Sequence, residues 1–512
     1  MLKKLFLAAC LLAGTSLYAQ VESSLLPTSI ARDTLLLDLM KLTGPEMAGR
    51  ATGHEGYDRA AEYVAKKLTE MVLDPVPLIS GQHDLYPHYQ MVPYKSEQLI
   101  GASVVFGKKK LLLGKDLFTG TGLSNGSLSS DELLFVGYGE AQDLKAADIK
   151  GKVVLAVPGE RTADGSIDMG NWRQQYANLA KHNPRAIILI DPDFKKEKDA
   201  MVARLTRERI SLSLTLEERE RGDAGSKVPL FVLSPKAGKK LMKAYGIKAK
   251  KLLAAASKNK RGVVKAFEGP LQLVVEVRHR RMEVPNVAGM VRGEQLPEEY
   301  VILSAHLDHL GVHDGKLHPG ADDNGSGSAA LLSIARQYSE WQMQGIRPQR
   351  SIIFLWLSGE EIGLLGSKWF TSNDNFPLES IMSNLNIDMI GRHDNKHKAE
   401  DNYLYLIGAD RISKDLHDLA ELINQQCCEI DLDLTYNDPK DPNRYYYRSD
   451  HYNFAKHGIP SVFFFSGVHD DYHQPGDTLD KIDFDRLKRN TEYILHLSWE
   501  LASRSARLRI TN

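Results

Sequence analysis

Apolar positions recur along the chain in two different rhythms. Helical spacing, with apolar residues three and four positions apart, predicts helices over Ser29–Leu42, Tyr57–Met71, Gly325–Trp341 and Phe484–Leu501. Short, mostly apolar runs predict buried strands over Val301–Ala305, Ser351–Leu357, Leu385–Ile390, which holds Asp388, and Ser461–Ser466. Because longer helical segments alternate with these strands, we predict an α/β fold with a mostly parallel central sheet flanked by helices.

The middle of the chain has a different pattern of apolar and polar residues. Short β-rich runs separated by Gly, Asp and Pro occur there at 133–136, 153–157 and 186–190. The alternation of strands with helices returns at Val284. This change predicts a β-rich domain inserted at 111–270, with the rest of the chain forming one domain in two parts, 20–110 and 271–512.

The first twenty residues have the pattern of a secretory signal peptide. Two lysines precede an apolar stretch, Leu5–Leu17, and the small residue Ala19 stands before Gln20. We therefore expect residues 1–19 to be removed and the protein to be exported, to the periplasm or outside the cell. Lipid attachment at Cys10 is less favoured, since only about five apolar residues precede it, and no later run reaches the ~20 apolar residues of a membrane span.

Composition narrows the classes of function. The formal net charge of -1 over 512 residues gives no electrostatic case for a nucleic acid or an anionic membrane as partner. Lysines do crowd Lys236–Arg261, which we interpret as a solvated basic helix face, with a ligand-binding patch as the alternative. Beyond Cys10 the cysteines are the neighbours Cys427 and Cys428, so no framework of long-range disulfides is possible. We favour buried thiols there over a bridge between the neighbours or an intermolecular link.

Titratable side chains stand at or just beyond the carboxyl ends of the predicted strands. They are His306, Asp308, Asp323, Glu360, Glu361, Asp388 and His473. Because the carboxyl ends of parallel strands meet at one edge of a sheet, we expect these side chains to converge. Two imidazoles and three carboxylates from this set could hold two divalent ions about 3.5–4 Å apart, with one carboxylate bridging. Nitrogen and oxygen ligands without thiolates favour zinc, with manganese or cobalt as substitutes.

The adjacent residues Glu360 and Glu361 suggest two different catalytic roles. Unpaired carboxylates at a buried sheet edge would cost several kcal/mol each, and metal ions remove that cost. One glutamate would bind metal while its neighbour acts as a general base. Asp308, two residues after His306, is expected to accept a hydrogen bond from the second nitrogen of that imidazole. We interpret the remaining histidines of this segment as ordinary loop residues: His309, His313 and His318.

Six motifs, taken in chain order, resemble one known family: HLDHLG, GADDNGSG, SGEEIGLLGS, NIDMIG, RSDHYNFAKHGIPSVFF and DDYHQPGDT. The chain resembles the co-catalytic zinc aminopeptidases of metallopeptidase clan MH, of the leucyl aminopeptidase or aminopeptidase Y type. The resemblance covers Met47 to about Leu73, where MAGRATGHEGYDRAAEYV looks like the family's entry motif, and Val284 to the C-terminus. It implies a zinc exopeptidase fold. The segment between these parts looks like a protease-associated domain insert.

The resemblance also implies a role for each candidate residue. The implied metal ligands are a pair for each zinc ion and one bridge: His306 with Asp388, Glu361 with His473, and Asp323 between them. Glu360 would be the general base. Asp323 is preferred to Asp322 by alignment to the Ser-Gly that follows, since spacing alone does not separate them. Tyr472 matches a position that in some relatives donates to the tetrahedral oxyanion, with alternatives at Tyr445, Tyr446 and Tyr447.

The implied reaction is hydrolysis of the first peptide bond of peptides with a free N-terminus. A carboxypeptidase or dipeptidase with the same metal site is the nearest rival, and Arg444 and Arg448 would then hold the free carboxylate. A glutaminyl cyclase is less favoured, because one zinc ion suffices there and all five ligands are present here. A metal-free, receptor-like binding protein of the same fold would have no need for five converging ligands. The oligomeric state is left open.

Overall fold

The computed structural model describes residues 25–28, 30–77, 87–120, 125–144, 148–161, 167–168, 172–213, 228–259, 263–372 and 376–511. They divide into two compact units, one formed by residues up to 92 and from 283 onward, the other by residues 93–282. The second unit begins earlier and ends later than the predicted insert. The predicted signal peptide lies outside the described residues. Within those residues, no helix combines the length and the apolar character that crossing a bilayer requires.

The first unit is built on a sheet with a parallel centre. In spatial order its strands are Asp431–Asp433, Tyr403–Ile407, Ser461–Phe465, Ile381–Ile387, Leu296–His306, Arg350–Leu357 and the end of Lys265–Val291. The central strand, Leu296–His306, is parallel to both of its neighbours, Arg350–Leu357 and Ile381–Ile387. Only the pairings near the two edges include antiparallel ones. The predicted α/β fold with a mostly parallel sheet is confirmed.

Burial explains why these strands are rich in apolar residues, although Ile381–Ile387 also contains the buried polar residues Ser383, Asn384 and Asn386. Every residue of Arg350–Leu357 and of Ile381–Ile387 is buried, as expected for parallel strands with helices on both faces. The helices of this unit are Arg32–Leu42, Glu55–Glu70, Gly327–Met343, Leu365–Ser372, Ala409–Ile412, Lys414–Cys427, His451–Ala455 and Phe484–Ser503. Short 3-10 turns occur at Pro45–Arg50, Leu378–Ser380, Thr435–Asn437, Tyr445–Tyr447 and Leu479–Lys481. A small hairpin pairs Gly311–His313 with Lys316–His318.

One predicted helix begins later than its apolar pattern indicates. We expected a helix from Gly325 to Trp341, and the structure has Gly327–Met343. The preceding residues, Ala321–Ser326, form an irregular turn in which Asp323 has non-helical backbone angles. This turn is fully buried, so the polar side chains at the start of the helix lie inside the protein at the end of the sheet.

The second unit has a hydrophobic core of its own. Its strands are Tyr89–Phe106, Lys109–Leu112, Leu117–Thr119, Gly126–Phe135, Val153–Leu155, Glu160–Arg161, Ile167–Asp168, Ala186–Ile190, Arg209–Leu212, Leu230–Leu233 and the first part of Lys265–Val291. Its helices are Ala141–Leu144, Trp172–Ala180, Phe194–Thr206, Pro235–Ala244 and Ala249–Asn259. Four strands, Gly126–Phe135, Val153–Leu155, Ala186–Ile190 and Leu230–Leu233, lie parallel side by side.

The expectation of buried thiols at Cys427 and Cys428 is wrong. The two residues are joined by a disulfide bond, and both are only half-buried. The helix Lys414–Cys427 ends between them, and the N–H of Cys428 donates to the carbonyl of Asn424. The end of a helix exposes its last side chains to solvent, so this site does not supply the apolar enclosure that the sequence-based expectation required.

His451 predicts a pH dependence of stability. The residue is fully buried, its ring stacks on that of Phe463 with centroids 5.0 Å apart, and burial lowers its pKa to about 3. The unfolded chain takes up this proton near pH ~6.5. Between the two values the unfolded state binds one more proton, so the free energy of unfolding falls with falling pH by about 1.4 kcal/mol per unit.

Replacing His451 with phenylalanine is expected to remove this contribution to the slope. Denaturant unfolding measured between about pH 7 and about pH 4 gives the comparison with the parent protein. His313→Phe, at an exposed position, is the control and should leave the slope unchanged. An unchanged slope in His451→Phe would contradict the assignment.

Candidate active site

The candidate residues lie at the carboxyl ends of the parallel strands. His306 is the last residue of the central strand, and Asp388 immediately follows its neighbour on one side. Glu360 and Glu361 stand in the turn that follows its neighbour on the other side. His473 lies in the loop beyond the next strand of the sheet. Because all four strands run in one direction, these side chains meet at one edge.

The first cluster is formed by His306, Asp323 and Asp388. The Nε2 atom of His306 lies 3.4 Å from Oδ1 of Asp323 and 3.4 Å from Oδ1 of Asp388. All three residues are buried. Burial alone would lower the pKa of His306, but the negative charges of Asp388 and Glu360 raise it well above its usual value. The site therefore favours a positive charge among these oxygens.

The second cluster uses the other oxygen of Asp323. The Nε2 atom of His473 lies 3.2 Å from Oδ2 of Asp323 and 3.1 Å from Oε2 of Glu361. Burial would lower the pKa of His473, yet its contacts with Asp323 and Glu361 raise that pKa to about 10. The two oxygens of Asp323 thus face two different imidazoles, which is the arrangement expected of a bridging carboxylate.

The donor set fits two divalent cations. Its members are two imidazoles and three carboxylates, and the close contacts among them involve no lysine or arginine. Single nitrogen and oxygen atoms of His306, Asp323 and Asp388 lie within 4.8 Å of one another, as do atoms of His309, Asp323 and Glu361. Buried carboxylates without a cationic partner are costly. Metal ions would supply that missing charge.

Glu360 differs from its neighbour Glu361 in its surroundings. Its carboxylate lines the cavity beside the first cluster and has no hydrogen-bond or ion-pair partner within the described ranges of the chain. Burial, together with the nearby charges of Glu361 and Asp388, raises its pKa well above the ordinary value, although the charge of His306 opposes the shift. A raised pKa means that this carboxylate holds a proton more tightly than an ordinary one, so it is suited to accepting a proton and passing it on.

Asp308 does not hold the imidazole through its carboxylate as expected. The Nδ1 atom of His306 lies 3.0 Å from the main-chain oxygen of Asp308 and 3.9 Å from its carboxylate Oδ1. The carboxylate instead accepts hydrogen bonds from the hydroxyl of Thr52 and the N–H of Glu360. The chain turns after His306, so residues two apart no longer share a face. Asp308 therefore links the turn that carries Glu360 to the N-terminal segment that carries Thr52.

His309 is not the ordinary loop residue that the sequence indicated. It is buried, and its Nδ1 lies 2.7 Å from Oε1 of Glu361 and 3.9 Å from Oδ2 of Asp323. Each carboxylate oxygen of Glu361 thus contacts a different imidazole: Oε1 contacts His309, and Oε2 contacts His473. The spacing of three residues after His306 is the only signal in the sequence, and it does not reveal that the chain folds back over Glu361. His313 is exposed, whereas His318 is buried and its ring contacts that of His313.

Tyr472 lies beside the metal-binding candidates. Its ring stacks on that of His473 at 3.9 Å, and its hydroxyl accepts a hydrogen bond of 3.4 Å from Arg448. Burial and the negative charge of Asp323 raise its pKa, so the hydroxyl keeps its proton. Of the three alternative tyrosines, Tyr445 also lines the cavity. The other two pack elsewhere in the aromatic cluster: Tyr446 and Tyr447.

Hydrogen bonds hold the carboxylate ligand candidates in place. Ser449 donates to Oδ2 of Asp388 at 2.7 Å and itself accepts from the side-chain amide of Asn386. The carboxylate of Asp477, which follows His473 by four residues, accepts from the N–H of Asp323. The loop that carries His473 is thereby fastened to the turn that carries Asp323. Such contacts fix the direction in which a ligand points.

Arg50 is a buried cation that the sequence analysis did not single out. Its guanidinium donates to four main-chain oxygens, those of Leu42, Leu307, Pro319 and Gly320. Burial lowers its pKa to about 10, so it stays charged at neutral pH. The loops that carry His309 and Asp323 are thus tied to the entry motif through one side chain.

Gly320 is required at its position by the turn before Asp323. Its φ is 59°, and a Cβ atom there would lie 2.1 Å from the main-chain oxygen of Asp323. Only glycine adopts this backbone angle without strain and leaves that space. Substitution at Gly320 would therefore displace Asp323.

The cavity in front of these groups has one polar side and one apolar side. Its polar residues are His306, Asp323, Glu360, Asp388, Arg448 and Tyr472. Its remaining wall is apolar or aromatic: Met389, Tyr445, Phe463, Phe465 and Val468.

Several known proteins are similar to this chain. A leucine aminopeptidase 1 of Sclerotinia sclerotiorum is 31% identical over 210 residues, 40% of this chain and 52% of that protein. A probable leucine aminopeptidase of Arthroderma otae is 27% identical over 248 residues, 47% of this chain and 63% of that protein. The chain thus spans about half to two thirds of the length of these relatives.

Among solved structures, an aminopeptidase from Aneurinibacillus sp. strain AM-1 aligns with 94% of this chain and 96% of its own, at 20% identity and a TM-score of 0.49. A zinc aminopeptidase from Bacillus subtilis aligns with 94% of this chain and 98% of its own, at 18% identity and the same TM-score. Residues 286–498 match the sequence profile of peptidase family M28. This match spans the candidate residues from His306 to His473.

Proposed function

We propose that this protein is an exported metallo-aminopeptidase that uses two zinc ions to hydrolyse the N-terminal peptide bond of peptides. One observation carries the proposal. Asp323 faces His306 with one carboxylate oxygen and His473 with the other, while the carboxylate of Glu360 faces the cavity beside them. The family match and the relatives named as aminopeptidases support the same activity.

In this proposal, His306 and Asp388 hold one ion, Glu361 and His473 hold the other, and Asp323 bridges. Two zinc ions, when bound, supply positive charge that polarises a substrate carbonyl and acidifies a water molecule. His309 forms a hydrogen bond with Oε1 of Glu361, and the other carboxylate oxygen, Oε2, faces His473. Ser449 and the main-chain oxygen of Asp308 orient Asp388 and His306 in the same manner: through hydrogen bonds.

Glu360 is the proposed general base. It takes a proton from the attacking water and gives it to the leaving amine, which its raised pKa in a half-buried position favours. Tyr472 would donate a hydrogen bond from its hydroxyl to the oxygen on which negative charge develops, and Arg448, which donates to that hydroxyl, orients it. Asp308 positions Glu360 by accepting the N–H of that residue.

The apolar wall of the cavity defines the proposed substrate class. Met389, Phe463, Phe465 and Val468 surround the space next to the first cluster. An apolar first side chain would replace water against these surfaces, and each buried methylene contributes about 0.8 kcal/mol to binding. We therefore propose that peptides beginning with a large apolar residue are preferred.

The decisive test compares free and blocked N-termini. The purified protein with added zinc is expected to release the first residue from peptides and aminoacyl-arylamides that begin with leucine or phenylalanine. The same peptides with an acetylated N-terminus should not be cleaved. Cleavage of acetylated peptides at the C-terminal bond would instead identify a carboxypeptidase and overturn the proposal, as would the absence of cleavage of every free peptide in the panel.

Two further parts of the proposal concern the rest of the chain. The N-terminal pattern supports export, to the periplasm or outside the cell. The second unit, 93–282, is proposed to be a protease-associated domain, on the basis of the sequence resemblance of the segment that it contains.

A further inference from the structure

The second unit carries a segment of one charge sign that the proposed peptidase activity does not use. Residues 224–267 contain eleven lysines, one arginine and no aspartate or glutamate. The formal net charge of the whole chain is only -1, so positive charge is concentrated here and balanced elsewhere. The net charge of the whole chain therefore does not reveal this local excess of positive charge.

Part of this charge forms a continuous stripe on one helix. Lys236, Lys239, Lys240 and Lys243 occupy positions i, i+3, i+4 and i+7 of the helix Pro235–Ala244, which places them on one face. Three of them are exposed, and the half-buried Lys240 lies 3.8 Å from Asp116. We call this set the lysine stripe. It is continued by three more exposed lysines around the start of the next helix: Lys248, Lys250 and Lys251.

The helix that carries the lysine stripe is firmly seated. Ser234 caps it by accepting the N–H of Ala237, and the opposite face buries Ala237, Gly238 and Leu241. Gly238 packs so closely that an added Cβ would lie 2.4 Å from the side chain of Ile190. The orientation of the helix is therefore fixed, and the lysines project from a rigid support.

Most of the positive charge of the lysine stripe is not paired with acidic side chains of the described residues. Within the described parts of the chain, Lys236, Lys239 and Lys243 have no ion-pair partner. Like charges three and four residues apart lower the stability of a helix, and so does a lysine near its N-terminus, where Lys236 lies and acidic residues are absent. The arrangement of lysines on this helix is therefore one that folding alone does not favour. Contact with an external anionic surface would reduce the repulsion among these charges.

We propose that the lysine stripe docks the protein on a membrane surface rich in anionic phospholipid. The charges are point charges of lysine on one face, which suits an array of lipid phosphates without defined spacing. The proposal rests on the proposed export, because an exported protein meets an envelope surface. A nucleic acid fits less well: Tyr245, next to the stripe, is half-buried and its hydroxyl donates to the main chain of Pro270, so it offers no free stacking surface.

The test measures binding of the full protein to vesicles. Phosphatidylcholine vesicles containing about 30% phosphatidylglycerol should retain the protein in a sedimentation assay at about 0.1 M salt, and pure phosphatidylcholine vesicles should not. The triple variant Lys236→Gln, Lys239→Gln, Lys243→Gln should bind about 100-fold more weakly, since each lysine near such a surface contributes about five-fold. Raising the salt to about 0.5 M should release the parent protein.

A matched control removes the same charge from another part of this unit. Lys108, Lys109 and Lys110 are also exposed, and their replacement by glutamine should change vesicle binding less than ten-fold. Equal losses in both variants would overturn the proposal by showing a general charge effect. So would no retention by the anionic vesicles, or tighter binding of duplex DNA through the same lysines. Hydrolysis of a small soluble substrate should be unchanged in both variants, so failure of docking and failure of the peptidase proposal are separable.

Discussion

Replacing Glu360 with glutamine is expected to lower kcat by about 100- to 10,000-fold while leaving metal binding intact. The amide keeps the shape of the side chain but cannot accept the proton of an attacking water. Metal binding should survive, because neither metal-binding cluster includes this side chain. The measurement is kcat for a leucyl-arylamide together with the zinc content of the same preparation.

Glu361→Gln is the matched control, since it makes the same chemical change one residue later. The carboxylate of Glu361 contacts both His309 and His473, so this variant should lose zinc as well as rate. The general-base role would be contradicted if Glu360→Gln kept the parental kcat. It would be equally contradicted if that variant lost zinc to the same extent as Glu361→Gln.

Replacing Asp323 with alanine is expected to weaken binding of both ions. Its two oxygens face His306 and His473 separately, so one substitution removes a ligand from each cluster. We expect each affinity to fall by more than about 100-fold, beyond the effect typical of outer hydrogen-bond partners. Asp388→Ala and His473→Ala should each weaken only one ion. Zinc titration calorimetry on the metal-free variants distinguishes the two patterns.

Asp322→Asn is the control for this experiment. Asp322 precedes Asp323 and is just as buried, but its carboxylate accepts the N–H of Gly391 and lies 3.5 Å from His469. Titration of Asp322→Asn should still report two ions. If Asp322→Asn lost both ions while Asp323→Ala retained them, the bridging role would belong to Asp322.

The strands and the polar residues that follow them were predictable for a physical reason. A parallel strand covered on both faces is built mostly of apolar residues, so its end can be recognised where the apolar run stops. His306 stands at such an end. The predicted strand Leu385–Ile390 continues past Asp388, whereas the observed strand ends at Ile387, so the end before Asp388 was not visible in the pattern. The choice of Asp323 over Asp322 needed the family resemblance, because both belong to one irregular turn.

Contacts that depend on the path of a loop were not predictable. The direction of Asp308 follows from the turn after the central strand, and the approach of His309 to Glu361 joins residues 52 positions apart. Neither leaves a periodic signal. The limits of the second unit differ from those of the predicted insert, because the strands Tyr89–Phe106 and Lys265–Val291 run through both of its boundaries. An apolar pattern does not break where a strand continues.

The four hydrogen bonds of Arg50 have a consequence for synthesis of the protein on the ribosome. Arg50 emerges early, but its partner Leu307 is 257 residues later and Gly320 is 270 residues later. Pairing over such a separation is slow, since a long loop must close before the contact forms. The guanidinium of Arg50 therefore remains hydrated in the nascent chain and cannot form these contacts until most of the polypeptide has been translated.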